Sequence, residues 1–277
     1  MVHTDRRSIL ALACLMILSL GIMTASLGPL LPEIAANNGV SVTTIGSLLT
    51  VLFLGALAAQ IVGGPVIDRL GEMPVLLVST LLLALGTFGI GAGRWLPLTL
   101  GMSFLAGVGH GAVDLCASVL ISRLYPERSA SALSLTSLFF GIGAFAGPAL
   151  AGLFLARSGS GLAALWITTA LLLVQALVIY LLRGAAPKQA PHSQTAESGP
   201  LYGSLLLWML GLMILLYVGA ETIVGSWITA YISDTTSLSY DTATLAASAY
   251  WLALTLGRLT NSVLTLRLLK SGYKIRN

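Results

Sequence analysis

Eight long apolar stretches separated by short polar breaks organise this chain of 277 residues. They run from Ile9 to Leu31, Ser41 to Ile67, Met73 to Gly93, Trp95 to Ile121, Ala130 to Leu155, Gly161 to Leu182, Leu201 to Ile232 and Thr242 to Leu266. A helix of about 20 residues, rising about 1.5 Å each, crosses a hydrocarbon core about 30 Å thick, so each stretch is long enough to span. The tightest break is the charged hinge Asp68-Arg69-Leu70-Gly71-Glu72. Neither flanking stretch carries a charge, and two spans joined so closely must form an antiparallel hairpin. Gly28, Pro29 and Pro32 are expected to kink or end the first helix, leaving Pro32 to Val40 as a loop that carries Glu33. Residues 183–200 break the pattern with Pro187, Lys188, Pro191, His192, Glu197 and Pro200 among small polar residues. Such a segment suits neither a span nor a packed core and reads as a flexible linker. The expected organisation is therefore a six-span bundle over 1–182, a linker over 183–200, and two further spans over 201–277.

Composition strengthens this reading. The chain is 56% hydrophobic and 9% charged, with a mean hydropathy of +0.93, which places it among all-α polytopic membrane proteins. A formal charge of +4 could suggest nucleic acid, but the 14 Lys and Arg residues are scattered through loops and form no basic patch with interleaved aromatics. Cys14 and Cys116 both sit in apolar stretches and read as core residues rather than as disulfide or metal ligands. No HExxH or close carboxylate pair points to an enzyme, and nothing calls for a cofactor. Arg6-Arg7 before an apolar run resembles a signal peptide, but the run is longer than a signal core and reads as an uncleaved first helix.

Charge asymmetry orients the spans. With the N-terminus inside, Arg6, Arg7, Arg69, Arg123, Arg128, Arg183, Lys188, Arg267, Lys270, Lys274 and Arg276 all fall on the inner side, against Arg94 and Arg157 outside. The positive-inside rule then makes the N-terminus and the linker cytoplasmic, in a multi-pass protein of the plasma membrane.

Ionisable residues within spans are expensive and point to function. Asp114 follows His110 by four residues, so both share one helix face. They read as a proton- or substrate-coupling pair lining a cavity, or else as a structural Asp–His pair. Ser118, one turn further on, could join Asp114 in holding sodium. Glu221, with Trp227 beyond it, reads as a polar-solute site or a packing carboxylate. Arg258 is expected near the inner end of its helix, snorkelling or gating. Asp68, with Arg69 beside it in the gate, is expected to pair with Arg123 or Arg128 and to break that pairing when helices rock. Gly143 and Gly147, followed by Pro148, give the fifth span a smooth face for close approach.

The pattern Gly64-x3-Asp68-Arg69-x-Gly71 between the second and third spans resembles the signature loop of the major facilitator superfamily of secondary transporters. Where that pattern continues with a basic residue, this chain has Glu72. Six spans, a polar linker and a seventh span match the superfamily's order. An internal repeat that lays Lys270 on Arg69 and Gly272 on Gly71 agrees with two parallel halves, a known feature of that superfamily rather than a consequence of this spacing. Gly107-x-Gly109-x-Gly111-x2-Asp114, the Phe139-Phe140-Gly141 stretch through Pro148, and Gly219-Ala220-Glu221 with Trp227 and Tyr231 are similar to the fucose-permease-like sugar transporters. That resemblance implies alternating-access transport of a small, sugar-like solute through the lipid bilayer, coupled to a proton or to sodium, with Gly143 and Gly147 at the interface between halves. An exporter of drugs or amphipathic metabolites is the alternative. The chain is also expected to be truncated after the eighth span, leaving faces of the seventh and eighth helices, Glu221 among them, exposed to lipid. On that expectation it either does not transport alone or is completed by a second chain.

Overall fold

A computed structural model describes residues 6–182 and 203–270, with side chains over 8–182 and 203–260. The expected linker over 183–200 and the tail residues Gly272, Lys274 and Arg276 lie outside the described residues.

Every apolar stretch becomes a helix, because backbone N–H and C=O groups in hydrocarbon have no water to turn to and must pair within the segment. The elements are α1 (Arg6–Asn38), the single turn α2 (Val42–Ile45), α3 (Ser47–Leu70), α4 (Glu72–Ala92), α5 (Leu96–Leu124), a 3-10 turn (Pro126–Arg128), α6 (Ser129–Ser158), α7 (Ala163–Leu182), α8 (Leu205–Thr235) and α9 (Tyr240–Lys270). Among the described residues, seven helices are long and apolar enough to cross a membrane. The protein is an integral membrane protein.

Two boundaries differ from expectation. The first helix continues through Pro29 and Pro32 to Asn38, so Glu33 lies on a helix rather than in a loop. A proline removes only its own N–H from the ladder, and neighbouring helices in a membrane bundle hold such a segment in place. The hinge is also tighter than five residues. Gly71 alone separates α3 from α4 and does so at φ 84°, a backbone angle that a residue with a Cβ rarely adopts.

The core lies among the first six long helices. α1 is central, with 72% of its apolar window buried against 6% for α8. It packs mainly on α6, while α5 lies between α3 and α4 and α7 covers α4. Helix α9 rests on α6, and α8 rests on α9 and α1. Helices in lipid gain nothing from hiding apolar surface from an apolar solvent, so close backbone approach must hold them together. Gly107 of α5 provides it, since a Cβ there would run into the Leu52 carbonyl of α3.

Gly107→Val is expected to destabilise the folded protein by about 1–3 kcal/mol through overpacking. Gly64→Ala, at a position with nothing within 4 Å of the added Cβ, should leave it unchanged. Thermal denaturation in detergent followed by size-exclusion chromatography compares the two. Equal melting temperatures would show that the α3–α5 contact does not limit stability.

Candidate functional site

Three groups of ionisable side chains bear on function. The first is on α5, where His110 and Asp114 share a face but do not bond to each other. The His110 Nδ1 atom is sealed from solvent without a partner. Asp114 is half-buried, and among the described residues none of the resolved ion pairs includes it. The structural Asp–His pair is therefore not formed. Ser118 lies one turn beyond, also half-buried.

The second group joins α8 to α9. One guanidinium nitrogen of Arg258 donates to both carboxylate oxygens of Glu221, at 2.5 and 2.7 Å. Tyr217 neighbours Arg258, and the Tyr250 hydroxyl donates to the Glu221 carbonyl at 3.1 Å. Two expectations are corrected here. Glu221 is not exposed to lipid, since its side chain is 8% exposed. Arg258 does not snorkel to the helix end, because a buried carboxylate on the adjacent helix attracts it more strongly than distant water. Trp227 does not join Glu221. Six residues on, it occupies a different face of α8, and its ring lies against Gly46, about 2.7 Å from where a Cβ would stand.

The third group closes the α3–α4 hinge. Arg123 of α5 donates to Asp68 at 3.2 Å and pairs with Glu72. Glu72 is buried, and the sequence reading missed it as a partner. Its signal was an acid four residues after Asp68, where the superfamily pattern has a base. Arg69 and Arg128 are exposed, and neither is in the resolved ion pairs. Gly63, rather than Gly64, receives a neighbour, the Leu115 side chain.

Small residues set where the last two helices meet the rest. Gly143 and Gly147 face the Leu18 and Ile22 carbonyls of α1, so they pack α6 against α1 inside the first bundle instead of forming the expected interface between halves. Pro148 is buried beside them. The contacts of α8 and α9 with the bundle use other positions. Gly28 meets the Ser226 backbone, Gly141 meets Thr255 and Gly152 meets Thr244, while the Tyr240 hydroxyl donates to the Pro29 carbonyl at 2.9 Å. These contacts run from mid-membrane to the face where α1 ends. A cavity of about 80 Å³ remains there, lined by Pro29, Pro32, Glu33 and Tyr240 among others. Glu33 is held by the Ser160 hydroxyl at 2.5 Å and the Gly161 N–H at 2.8 Å. Among the described residues, no three His, Cys, Asp or Glu side chains converge as a metal site would require.

Residues 13–274 match the family described as Major Facilitator Superfamily. The chain belongs to that superfamily. Among other superfamily proteins, it is 23% identical over 273 residues to the human sodium-dependent glucose transporter 1, a match that covers 86% of this chain and 53% of the human protein. It is 30% identical over 133 residues to the 4-hydroxybenzoate transporter PcaK of Pseudomonas aeruginosa, covering 48% of this chain and 30% of that one. The chain thus spans about half or less of these curated relatives. The crystal structure of a D-xylose-proton symporter superposes with a TM-score of 0.63 at 18% identity, over 96% of this chain and 69% of that one. This likeness establishes the fold.

Removing one member of a fully buried ion pair costs about 3–5 kcal/mol. Arg258 is 39% exposed, so solvent screening reduces the expected cost of Glu221→Gln or Arg258→Met to about 1–3 kcal/mol. The double substitution is expected to cost less than the two single costs added together. A thermal-stability double-mutant cycle measures the coupling, and strict additivity would mean that the pair carries none.

Proposed function

We propose that this protein moves a small, sugar-like solute across the plasma membrane by alternating access, driven by coupled proton movement. The observation that carries this reading is the contrast between two carboxylates within spans. Glu221 has its charge balanced by Arg258 and stays fixed. Asp114 pairs with no described base, so no fixed counter-ion holds its charge. A half-buried acid free of a permanent counter-ion suits a group that loads and unloads a proton. His110, four residues away with an unpaired ring nitrogen, is the nearest candidate to relay that proton. Two kinds of relative support the substrate class: the names of several carry glucose, and a structural neighbour is a D-xylose-proton symporter.

Sodium is the second reading. Curated relatives are named sodium-dependent, and Ser118 offers a hydroxyl one turn from Asp114. In both readings the N-terminus and the segment 183–200 are cytoplasmic, as the positive-inside distribution requires. Residues 1–182 act as one bundle, and 201–277 belong to a second. Asp68, Glu72 and Arg123 form a charge cluster on the cytoplasmic face, with Arg69 and Arg128 exposed around it. Gly71 is the pivot that lets α3 and α4 move as a hairpin, and the cluster serves as a gate that re-pairs as the helices rock.

Liposomes containing the 277-residue chain, presented with radiolabelled D-glucose, D-xylose or 4-hydroxybenzoate as separate probes, test the reading. Uptake of a sugar that collapses with a proton uncoupler and survives replacement of sodium by choline is the outcome of this reading, and it would set aside the expectation that the chain does not transport alone. Dependence on sodium alone would favour the second reading, and accumulation of 4-hydroxybenzoate alone would overturn the sugar-like substrate. Asp114→Asn is expected to reduce gradient-driven uptake about a hundredfold while leaving membrane insertion intact. Undiminished pH-driven uptake in that variant would remove Asp114 from coupling.

A further inference from the structure

The two arms of the hinge at Gly71 are seated unequally on α5. α4 is held from its first residue onward. Glu72, Met73, Val75 and Leu76 are buried, the Cys116 thiol of α5 donates to the Glu72 carbonyl at 3.2 Å, and further along Gly109 packs on the backbone of Ser79 and Leu83. α3 meets α5 backbone to backbone at Leu52 and Ala56, opposite Gly107 and Gly111, but nearer the hinge Gly63 meets only the flexible Leu115 side chain. Within residues 64–70, Ile67 alone is buried. Pro65 lies inside this part of α3 and weakens it, since a proline has no N–H to give the Ile61 carbonyl one turn back.

Arg123 binds one acid on each arm, and the two contacts differ in kind. Its pair with Glu72 of α4 is sheltered, the Glu72 side chain being 10% exposed. Its contact with Asp68 of α3, at 3.2 Å, lies within reach of water, the Asp68 side chain being 65% exposed. A solvent-exposed pair is worth little and weakens further with salt, whereas breaking a sheltered pair leaves a buried charge uncompensated. Arg123 therefore gives up Asp68 far more readily than Glu72. A base at position 72, as in the superfamily pattern, would repel Arg123. The acid that stands there in this chain gives the arginine a fixed seat instead.

We propose that Glu72 is a positioning residue of the cytoplasmic gate: it keeps Arg123 on the start of α4, so that α4 and α5 stay together while the end of α3, carrying Asp68, swings about Gly71. The inference rests on the gate proposed above and gives its two acids unequal roles, Glu72 the anchor and Asp68 the part that lets go. Two native thiols report on it. Cys116 lies under the start of α4, where it is 0% exposed, and Cys14 is buried on α1. A separation of α4 from α5 uncovers Cys116 alone, whereas a general loosening of the bundle uncovers both.

The test is alkylation of the 277-residue chain in lipid nanodiscs by N-ethylmaleimide, with rates at Cys116, at Cys14 and at an added Ile67→Cys on the end of α3 read separately by peptide mass spectrometry. Asp68→Asn is expected to speed alkylation at the Ile67→Cys position about tenfold and to leave Cys116 protected. Potassium chloride at about 0.5 M should act in the same direction, because it screens the exposed pair and not the sheltered one. Glu72→Gln is expected to speed alkylation of Cys116 about tenfold while Cys14 stays protected, and Glu72→Asp, which keeps the charge, should keep Cys116 protected. Should Glu72→Gln fail to fold, seen as equal exposure of Cys14, the exchange of Glu72→Arg with Arg123→Glu carries the comparison. That exchange should rebuild the α4–α5 pair and protect Cys116 while freeing the Ile67→Cys position, and a reactive Cys116 in it would overturn the anchor. Protection of Cys116 in Glu72→Gln, or its release by Asp68→Asn as fully as by Glu72→Gln, would overturn the role of Glu72 and leave the gate standing. An unchanged rate at the Ile67→Cys position in Asp68→Asn and in salt would overturn the gate and this inference together.

Discussion

Helices in this protein are held by close backbone contact, because lipid gives apolar side chains no reason to turn inward and rewards only a close fit and the pairing of what it will not accept. Glycines make that fit: Gly143 and Gly147 seat α6 on the Leu18–Ile22 carbonyls of α1, and Gly107 and Gly111 seat α5 on Leu52 and Ala56 of α3. Everything polar within the spans is then arranged around contacts that leave no room for an added methyl group.

Charge is handled differently in three places. At the α3–α4 hinge one arginine serves two acids, Arg123 with Asp68 and Glu72, at a face where water can share the work. Between α8 and α9 the pairing is nearly private, Arg258 with Glu221, supported by Tyr217 and by Tyr250 at the Glu221 carbonyl. On α5, Asp114 and His110 share neither bond nor ion pair. A polar group with a permanent partner holds helices in place, whereas one without a permanent partner is free to engage something that comes and goes. This difference separates the supporting residues from those proposed to work during transport.

Contact between the first bundle and the last two helices has a direction. The approaches at Gly28, Gly46, Gly141 and Gly152, and the bond from Tyr240 to Pro29, lie from mid-membrane to the face where α1 ends. The beginning of α8, from Leu205 to Val218, is exposed. A pair of helices joined at one end and apart at the other is the geometry from which rocking between two access states can start.

Read alone, the chain of residues specifies the helices, their order and the family. Those depend on local properties: apolar length sets the spans, and the spacing of Gly64, Asp68, Arg69 and Gly71 marks the hinge. Asp114, Glu221 and Arg123 stand out in the same way, because an ionisable residue in or beside an apolar run is conspicuous at any tertiary arrangement. Which of them pair depends on how the helices are placed in space. Glu221 and Arg258 stand on different helices and meet because α8 and α9 form an antiparallel hairpin. Glu72 looked like a departure from a motif until α5 brought Arg123 to it. Trp227 looked like a companion of Glu221 along the chain, yet helical rotation turns it toward Gly46. The first helix survives Pro29 and Pro32 for the same reason, since its course is held by helices far away in sequence. A polar side chain's partner depends on the rotation and height of two helices, and one strand of sequence records neither.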